Sequence, residues 1–364
     1  MHSCLQDTMR LSRWAGVFPV EGLNKRDIGK LRFNIKSFYT LYYLSTIIMQ
    51  TSITGFMVHW FLIRELSLNT ISNLAFYVTG LISALFLLKL ANEWPSLVRR
   101  AAKIEQRVTV IHVTKIRAVK FSAITYVVLI LAAIEHSLSL IYKFKTVVLC
   151  YEDAVFGNRI LKNYCHFSYP FVFNYMANVQ STFLWNFTDI MTMCFSLYLT
   201  AYFRDLNTLV NSQQENKTHN WEQLRYYYSQ LVALVQAVDS KMCYLILLSI
   251  FTNLFFICLQ LYNTLNINLF YYAYSFTFLM LRAAVMFFLA ANVNTVASEP
   301  KYALSCVSSR DYNIHVQRFH RQLRYTTTAL SGLFFHVTRE MILKVFATII
   351  TYELVLLQFH KDDS

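Results

Sequence analysis

The chain has 364 residues, of which 56% are hydrophobic and only 15% are charged. This apolar composition excludes a disordered chain and indicates a protein embedded in a membrane. The net charge of +13 does not call for a nucleic-acid partner, because anionic lipid at the inner face of a membrane attracts the same basic residues.

Seven stretches are apolar and long enough to cross a bilayer as helices, which takes about 20 residues. None of them shows the short alternation of a membrane barrel. In chain order they lie at 38–63, 71–91, 121–142, 176–203, 242–264, 268–292 and 340–360. The sequence therefore predicts one all-α domain over 1–364 with seven transmembrane helices.

The basic residues predict the orientation of these helices. Twenty-four Lys and Arg precede the first span or lie in the second, fourth and sixth loops, whereas the other loops and the tail hold six. Basic residues are retained on the cytoplasmic side of a membrane. We therefore expect a cytoplasmic N-terminus and, after seven spans, an extracellular C-terminus.

Two of the predicted cytoplasmic segments keep helical apolar spacing. Residues 221–241 repeat it through Leu224, Tyr228 and Leu231, and residues 311–339 through positions such as Val316. Helices with one apolar face pack on lipid or on each other. We expect the fourth and fifth spans to continue into the cytoplasm and to form a domain that contacts other subunits.

The sequence shows neither a metal-binding pattern of cysteines nor a catalytic motif. The seven Cys show no zinc-like spacing and no CxxC, and the chain has no metalloprotease, hydrolase or nucleotide-binding motif. We predict no enzyme activity, no metal and no cofactor. Cys150 and Cys165 both lie in the third loop, which is extracellular in this topology, so a disulfide between them is one possibility.

Polar and aromatic residues gather in the predicted extracellular half of the spans. Aromatic rings stack on the CH faces of sugars, and carboxylates and amides bond their hydroxyls. The candidate ligand-binding residues are Glu135, His136, Trp185, Asn186, Asp189, Gln260 and Tyr274. Two alternatives stay open: interfacial aromatics and polar contacts between helices are common, and Asp189 lies at a depth where it can pair with Arg282.

The last span carries a polar stripe. Its members recur at steps of three and four, on one helical face, as Lys344, Thr348, Thr351, Val355 and Gln358. Polar groups at membrane depth usually face a cavity or a pore, so this face is predicted to line water. Glu353 points to the opposite face, and Glu340 lies one turn before Lys344, where it can neutralise the lysine.

The C-terminal residues TYELVLLQF (351–359) resemble the signature of insect gustatory receptors: Thr-Tyr, five mostly apolar residues, then Gln-Phe. The lead-in LSGLFFHVTREMIL (330–343), together with Glu353, is similar to the sugar-receptor branch. Softer similarity occurs at FPV (18–20), IEHSLS (134–139) and WNFTDIMTMCFSLYL (185–199), so that the resemblance covers nearly the whole chain.

The resemblance implies a tetrameric, ligand-gated, non-selective cation channel of sensory neurons. Its last helix would line the pore, with Thr348, Thr351 and Val355 below a gate formed by Gln358 and Phe359. The chain would then be a sweet-taste receptor subunit in the plasma membrane of a sensory dendrite. Its partners would be sugar, membrane lipid and identical or related subunits in a homo- or hetero-tetramer.

Three other interpretations remain. An extracellular N-terminus would favour a seven-helix G-protein-coupled chemoreceptor. Inverted repeats would favour a sugar transporter, although no repeat is visible in the sequence and the helix count is odd. The chain would alternatively be a co-subunit of a heteromeric receptor that senses no sugar itself.

Overall fold

The computed structural model describes residues 1–24, 27–63, 67–108, 115–155, 171–216, 220–266, 270–348 and 351. Over this part the protein is built from helices, apart from one short hairpin. The helices are α1 His2–Trp14, α2 Phe38–Ile63, α3 Leu68–Arg107, α4 Lys115–Val155, α5 Phe171–Asn216, α6 Trp221–Asn266, α7 Phe270–Ser298, α8 Pro300–Ser305, α9 Ile314–Tyr325 and α10 at 339–348. The hairpin pairs β1 (Val20–Glu21) antiparallel with β2 (Arg32–Phe33).

Five of the predicted spans coincide with helices long and apolar enough to cross a membrane: α2, α3, the 121–142 part of α4, α6 and α7. The fourth predicted span lies within α5, which is long enough but less apolar. Of the last predicted span, 340–360, the described residues are 340–348 and 351. The all-α membrane architecture is therefore confirmed, and the count of seven stays a prediction.

Helix α5 lies at the centre of the bundle, packed against α3, α4, α6 and α7. Its polar residues are buried inside the protein rather than turned to lipid, which explains why α5 is less apolar than its neighbours. Three of their hydroxyls donate to carbonyls one turn back: Thr188 to Leu184 at 2.9 Å, Thr192 to Thr188 at 3.1 Å and Ser196 to Thr192 at 2.6 Å. Each of these three hydroxyls is thus satisfied within the helix.

The predicted helical extensions are confirmed. Helices α5 and α6 run without a break past the ends of the fourth and fifth predicted spans. The second amphipathic segment also forms a helix, but only over Ile314–Tyr325, because the Asn313 side chain caps its N-terminus and the three threonines after Tyr325 are not helical. Its apolar face packs on α6, where the rings of Phe319 and Tyr228 lie 5.4 Å apart.

The first 33 residues also join the core, which the hydrophobic pattern of the sequence did not predict. Helix α1 packs against α4. Phe18 is fully buried, and its ring meets Trp94 edge-on at 5.1 Å. Phe18 holds φ at 68°, a value that non-glycine residues rarely adopt, and its packing on Trp94 offsets that strain.

Candidate functional site

A cavity of about 170 Å³ opens near the end of the bundle where α6 connects to α7. Side chains of α3, α4, α5, α6 and α7 line it. They are Ser72, Asn73, Phe76, Glu135, His136, Ser139, Asn178, Thr182, Trp185, Asn186, Phe256, Leu259, Gln260, Asn263, Tyr271, Ser275, Phe278, Leu279 and Arg282. A concave site with a few converging polar groups is the usual form of a small-molecule site.

Glu135 on α4 is the carboxylate of the cavity. The Ser275 hydroxyl donates a hydrogen bond to its Oε1 at 2.9 Å, and the Tyr271 hydroxyl donates to the same oxygen at 3.3 Å. Tyr271 is itself held by Tyr142, whose ring stacks on it at 5.6 Å. Two side chains of α7 therefore fix the position of a half-buried carboxylate that can accept hydrogen bonds from a ligand's hydroxyls.

Aromatic rings form another part of the wall. Trp185 of α5 lies 4.8 Å from the Phe256 ring of α6, and Phe76 of α3 packs edge-on against both, at 6.5 and 6.2 Å between centroids. On α4, Nδ1 of His136 lies 3.4 Å from the Thr182 hydroxyl. The cavity thus combines apolar ring surface with polar atoms, which suits a ligand having CH faces and hydroxyls.

A buried ion pair lies beside this wall. Nε of Arg282 is 2.9 Å from Oδ2 of Asp189, and the two side chains are only 2% and 0% exposed. Arg282 also donates to Asn253 Oδ1 at 3.0 Å and to Asn186, and its guanidinium lies 4.5 Å above the Trp185 ring. The predicted pairing of Asp189 with Arg282 is confirmed.

The same network binds three helices together. Asn253 donates to both carboxylate oxygens of Asp189 at 3.1 Å, and the Ser249 hydroxyl donates to Oδ1. Trp185 Nε1 donates to Asn253 Oδ1 at 3.2 Å. A buried ion pair is tolerated when other hydrogen bonds satisfy its remaining atoms, and residues of α5, α6 and α7 do so here.

The structure brings five of the seven predicted ligand-binding residues to the cavity wall: Glu135, His136, Trp185, Asn186 and Gln260. Asp189 is not part of that wall, because it is fully engaged in the network beside it. Tyr274 does not line the cavity either, and its hydroxyl donates to the Leu131 carbonyl at 3.4 Å.

Some residues that line the cavity were not among the predicted site residues. Ser275 lies one turn after Tyr271 on α7, and Thr182 lies one turn after Asn178 on α5. Thr182 also lies one turn before the predicted residue Asn186, so the helical step of four was a signal for Thr182, whereas none of the predicted residues lies one turn from Ser275. Phe76 carried no such signal, since an aromatic residue in an apolar span is ordinary.

The predicted pore residues lie partly outside the described residues. Thr348 and Thr351 are exposed on the chain, whereas Val355, Gln358 and Phe359 fall outside the described part, as does Cys165 of the possible Cys150–Cys165 disulfide. The expected neutralisation of Lys344 is confirmed, because its Nζ lies 2.8 Å from Glu340 Oε1. The pore face itself stays a prediction.

Helix α10 borders α6 on the far side of a groove from the cavity. An apolar groove separates it from α6, and Leu259 lines both this groove and the cavity. On the α10 side the groove is lined by Met341, Val345 and Thr348. Leu259 of α6 therefore lies between the cavity and the groove that α10 borders.

Sequence comparison gives a full-length match. The family model described as trehalose receptor matches residues 1–364. The gustatory receptor 5a for trehalose of Drosophila melanogaster is 29% identical over 385 residues, covering 99% of this chain and 85% of the relative. Two further receptors of that fly, for sugar taste 64a and 64b, are also 29% identical and cover 98% of the chain, with 84% and 94% of their own lengths aligned.

Structural comparison identifies the same fold in another insect receptor. The olfactory receptor OR5 of Machilis hrabei, solved in complex with eugenol, aligns with a TM-score of 0.69 over 98% of this chain and 100% of that chain, at 15% identity. Membership of a receptor family confirms the prediction that the chain is not an enzyme, and the five apolar helices make it a multi-pass membrane protein. The full-length match shows that the chain belongs to the trehalose receptor family of insect gustatory receptors.

Proposed function

We propose that the chain is a sweet-taste receptor subunit, a sugar-gated non-selective cation channel in the plasma membrane of a sensory dendrite. The observation that carries the proposal is the cavity, where the carboxylate of Glu135 shares a wall with the rings of Trp185 and Phe256. The names of its relatives, for trehalose and for sugar taste, support the ligand class. The resemblance supports a homo- or hetero-tetramer.

In this proposal the sugar enters from outside. A sugar ring stacks on Trp185 while Glu135, Asn186 and Gln260 bond its hydroxyls. At about 170 Å³ the cavity is smaller than the roughly 300–1,000 Å³ typical of drug-sized ligands. A disaccharide would therefore need the helices around the cavity to move apart.

Expansion of the cavity would couple sugar binding to the pore. A ligand opens a channel only by binding the open arrangement more tightly than the closed one. Outward movement of α6 would carry Leu259 toward Met341 and Val345 of α10, which lie across the apolar groove. Sugar binding would in this way bias the position of the last helix, whose polar stripe lines the pore.

The proposal is tested by expressing the chain alone in cells and recording currents across a panel of sugars. The expected result is a rapid cation current that persists when G-protein signalling is blocked. Sugar responses that require a second receptor subunit would instead identify a co-subunit, and responses abolished by the G-protein block would support the seven-helix receptor.

We expect a cytoplasmic N-terminus and an extracellular C-terminus. The unequal distribution of Lys and Arg, twenty-four against six, motivates this orientation. Epitope tags at the two ends, stained with and without permeabilisation, measure it directly. Staining of an N-terminal tag on intact cells would refute the proposed topology and with it the channel.

Replacing Gln358 or Phe359 with Ala should raise the current recorded without sugar or alter ion preference. A bulky ring and an amide close a narrow pore by blocking and dewetting it, so smaller side chains should leak. Whole-cell recording at matched surface expression checks this. Basal current and ion preference equal to wild type in both variants would remove the pair from the gate.

Cysteine scanning over 344–359 should identify the pore face. We expect a water-soluble thiol reagent to block current through Thr351→Cys, Val355→Cys and Gln358→Cys, because these positions share the polar stripe. Glu353→Cys, on the opposite face, serves as the matched control and should be spared. The reverse pattern would show that the wrong face was assigned.

A further inference from the structure

A groove of about 430 Å³ lies on the helical extensions, far along α6 from the sugar cavity. We name it the arginine groove. It is lined by Arg225 of α6 and by Arg318, Arg321, Gln322 and Tyr325 of α9. Its three guanidinium groups come from two helices that the sequence places well apart, so the groove exists only in the folded protein.

The frame of the arginine groove is firmly packed. On the opposite side of α9, Val316, Phe319 and Leu323 are buried against the core. Gln322 donates a hydrogen bond to the Ser229 hydroxyl of α6 at 3.1 Å. Because the two helices are joined by both kinds of contact, Arg318 and Arg321 are held on the same side as Arg225.

The charge of the groove is not compensated within the described residues. No carboxylate lines it, and in that part of the chain Arg225, Arg318 and Arg321 form no ion pair. The Nε of Arg225 is buried and has no hydrogen-bond partner among the residues described. Glu222, one turn before Arg225, points instead toward His315, 3.9 Å from its Nδ1.

We propose that the arginine groove binds a compact polyphosphate anion, a phosphorylated inositol. Like charges held together repel, and an anion with several phosphates relieves that repulsion at all three arginines. Guanidinium groups bond phosphate oxygens in pairs, which a point charge such as ammonium does not. The source is a free inositol phosphate or the headgroup of a phosphoinositide lipid, since both present the same chemistry.

This inference rests on the proposed orientation, which places α9 and the start of α6 in the cytoplasm, where phosphorylated inositols occur. Binding of this anion would lock α9 to α6 through Arg318, Arg321 and Arg225. The segment from α9 leads within the chain to α10 at 339–348. The anion would therefore set how firmly the base of the last helix is held, and so modulate the response to sugar.

The test is a titration of the purified full chain with inositol hexakisphosphate, and separately with phosphatidylcholine vesicles that contain phosphatidylinositol bisphosphate. Wild type should bind at least one probe, and which one it binds identifies the source. The triple variant R225Q/R318Q/R321Q should lose about a hundredfold or more in affinity, since each charge-assisted hydrogen bond contributes about tenfold. The lysine triple variant, which keeps the charge, should lose less.

The matched control is R99Q/R100Q/R204Q, which removes three exposed arginines elsewhere on the protein and should bind as wild type does. If the groove triple variant does not fold, the single variants R318Q and R321Q replace it, because both side chains are exposed.

Failure of wild type to bind either probe would overturn the inference. An equal loss of affinity in the control variant would also overturn it. A groove variant that binds normally but no longer assembles would overturn it too, because the groove would then be a contact between subunits. A reversed topology would show in the tag experiment and not in this titration.

Discussion

Replacing Arg282 with Gln should remove most of the protein from the cell surface. The substitution leaves the carboxylate of Asp189 buried without its cation, with the side chain at 0% exposure. Breaking a buried ion pair from one side costs about 3–5 kcal/mol, a large part of the roughly 5–15 kcal/mol by which domains are stable. Asp189→Asn should have the same main effect, because it leaves the buried Arg282 without its anion. Surface biotinylation and the melting temperature of the purified protein measure it.

Two comparisons separate this effect from a general sensitivity of the bundle. Arg204→Gln changes an exposed arginine of α5 and should leave surface level and melting temperature unchanged. Replacing Asp189 and Arg282 together by apolar residues of similar volume should recover part of the loss, since no unpaired charge remains. Wild-type surface levels of R282Q would show that the network is not needed for folding.

Glu135→Gln should weaken the sugar response without changing surface expression. The amide keeps the size of the side chain but replaces a charged acceptor with a neutral one, so a sugar hydroxyl loses a charge-assisted hydrogen bond. Such a bond contributes about 1.5–3 kcal/mol, which corresponds to a rise of about tenfold or more in the sugar concentration for half-maximal current. Dose–response recording at matched surface level measures this shift.

The control for Glu135→Gln is Glu222→Gln, which removes the same charge from an exposed position on the extension of α6. It should leave the dose–response curve in place. Ser275→Ala, which removes the hydroxyl that holds Glu135 at 2.9 Å, should give a smaller shift in the same direction. Normal responses of the Glu135 variant would take this carboxylate out of the sugar site.

Much of this fold is visible in the sequence because a membrane imposes long apolar helices. The extension of α6 followed from the spacing of Leu224, Tyr228 and Leu231, a local property of the chain. The N-terminal helix and hairpin did not follow, because their burial depends on partners far along the sequence, such as Trp94 beneath Phe18. The burial of the polar residues of α5 likewise depends on distant partners, since the centre of a bundle tolerates polar groups that are paired.

The site was predictable to the extent that polar residues are expensive in a membrane. Glu135 and Asp189 stood out for that reason. The pairing of Asp189 with Arg282 followed from the comparable depth of the two residues in the membrane. Depth did not reveal that the network removes Asp189 from the cavity, nor that Tyr274 bonds a backbone carbonyl. Both depend on the rotation of each helix against its neighbours, which one sequence does not specify.

The central claim, that sugar in this cavity opens a pore lined by the last helix, is tested most directly by an electron cryo-microscopy structure of the purified chain with an activating sugar. We predict a tetramer with sugar density between Glu135 and Trp185, and with Gln358 and Phe359 at the central axis, farther apart than in the sugar-free state. Sugar bound at another place, or a last helix turned toward lipid, would contradict it.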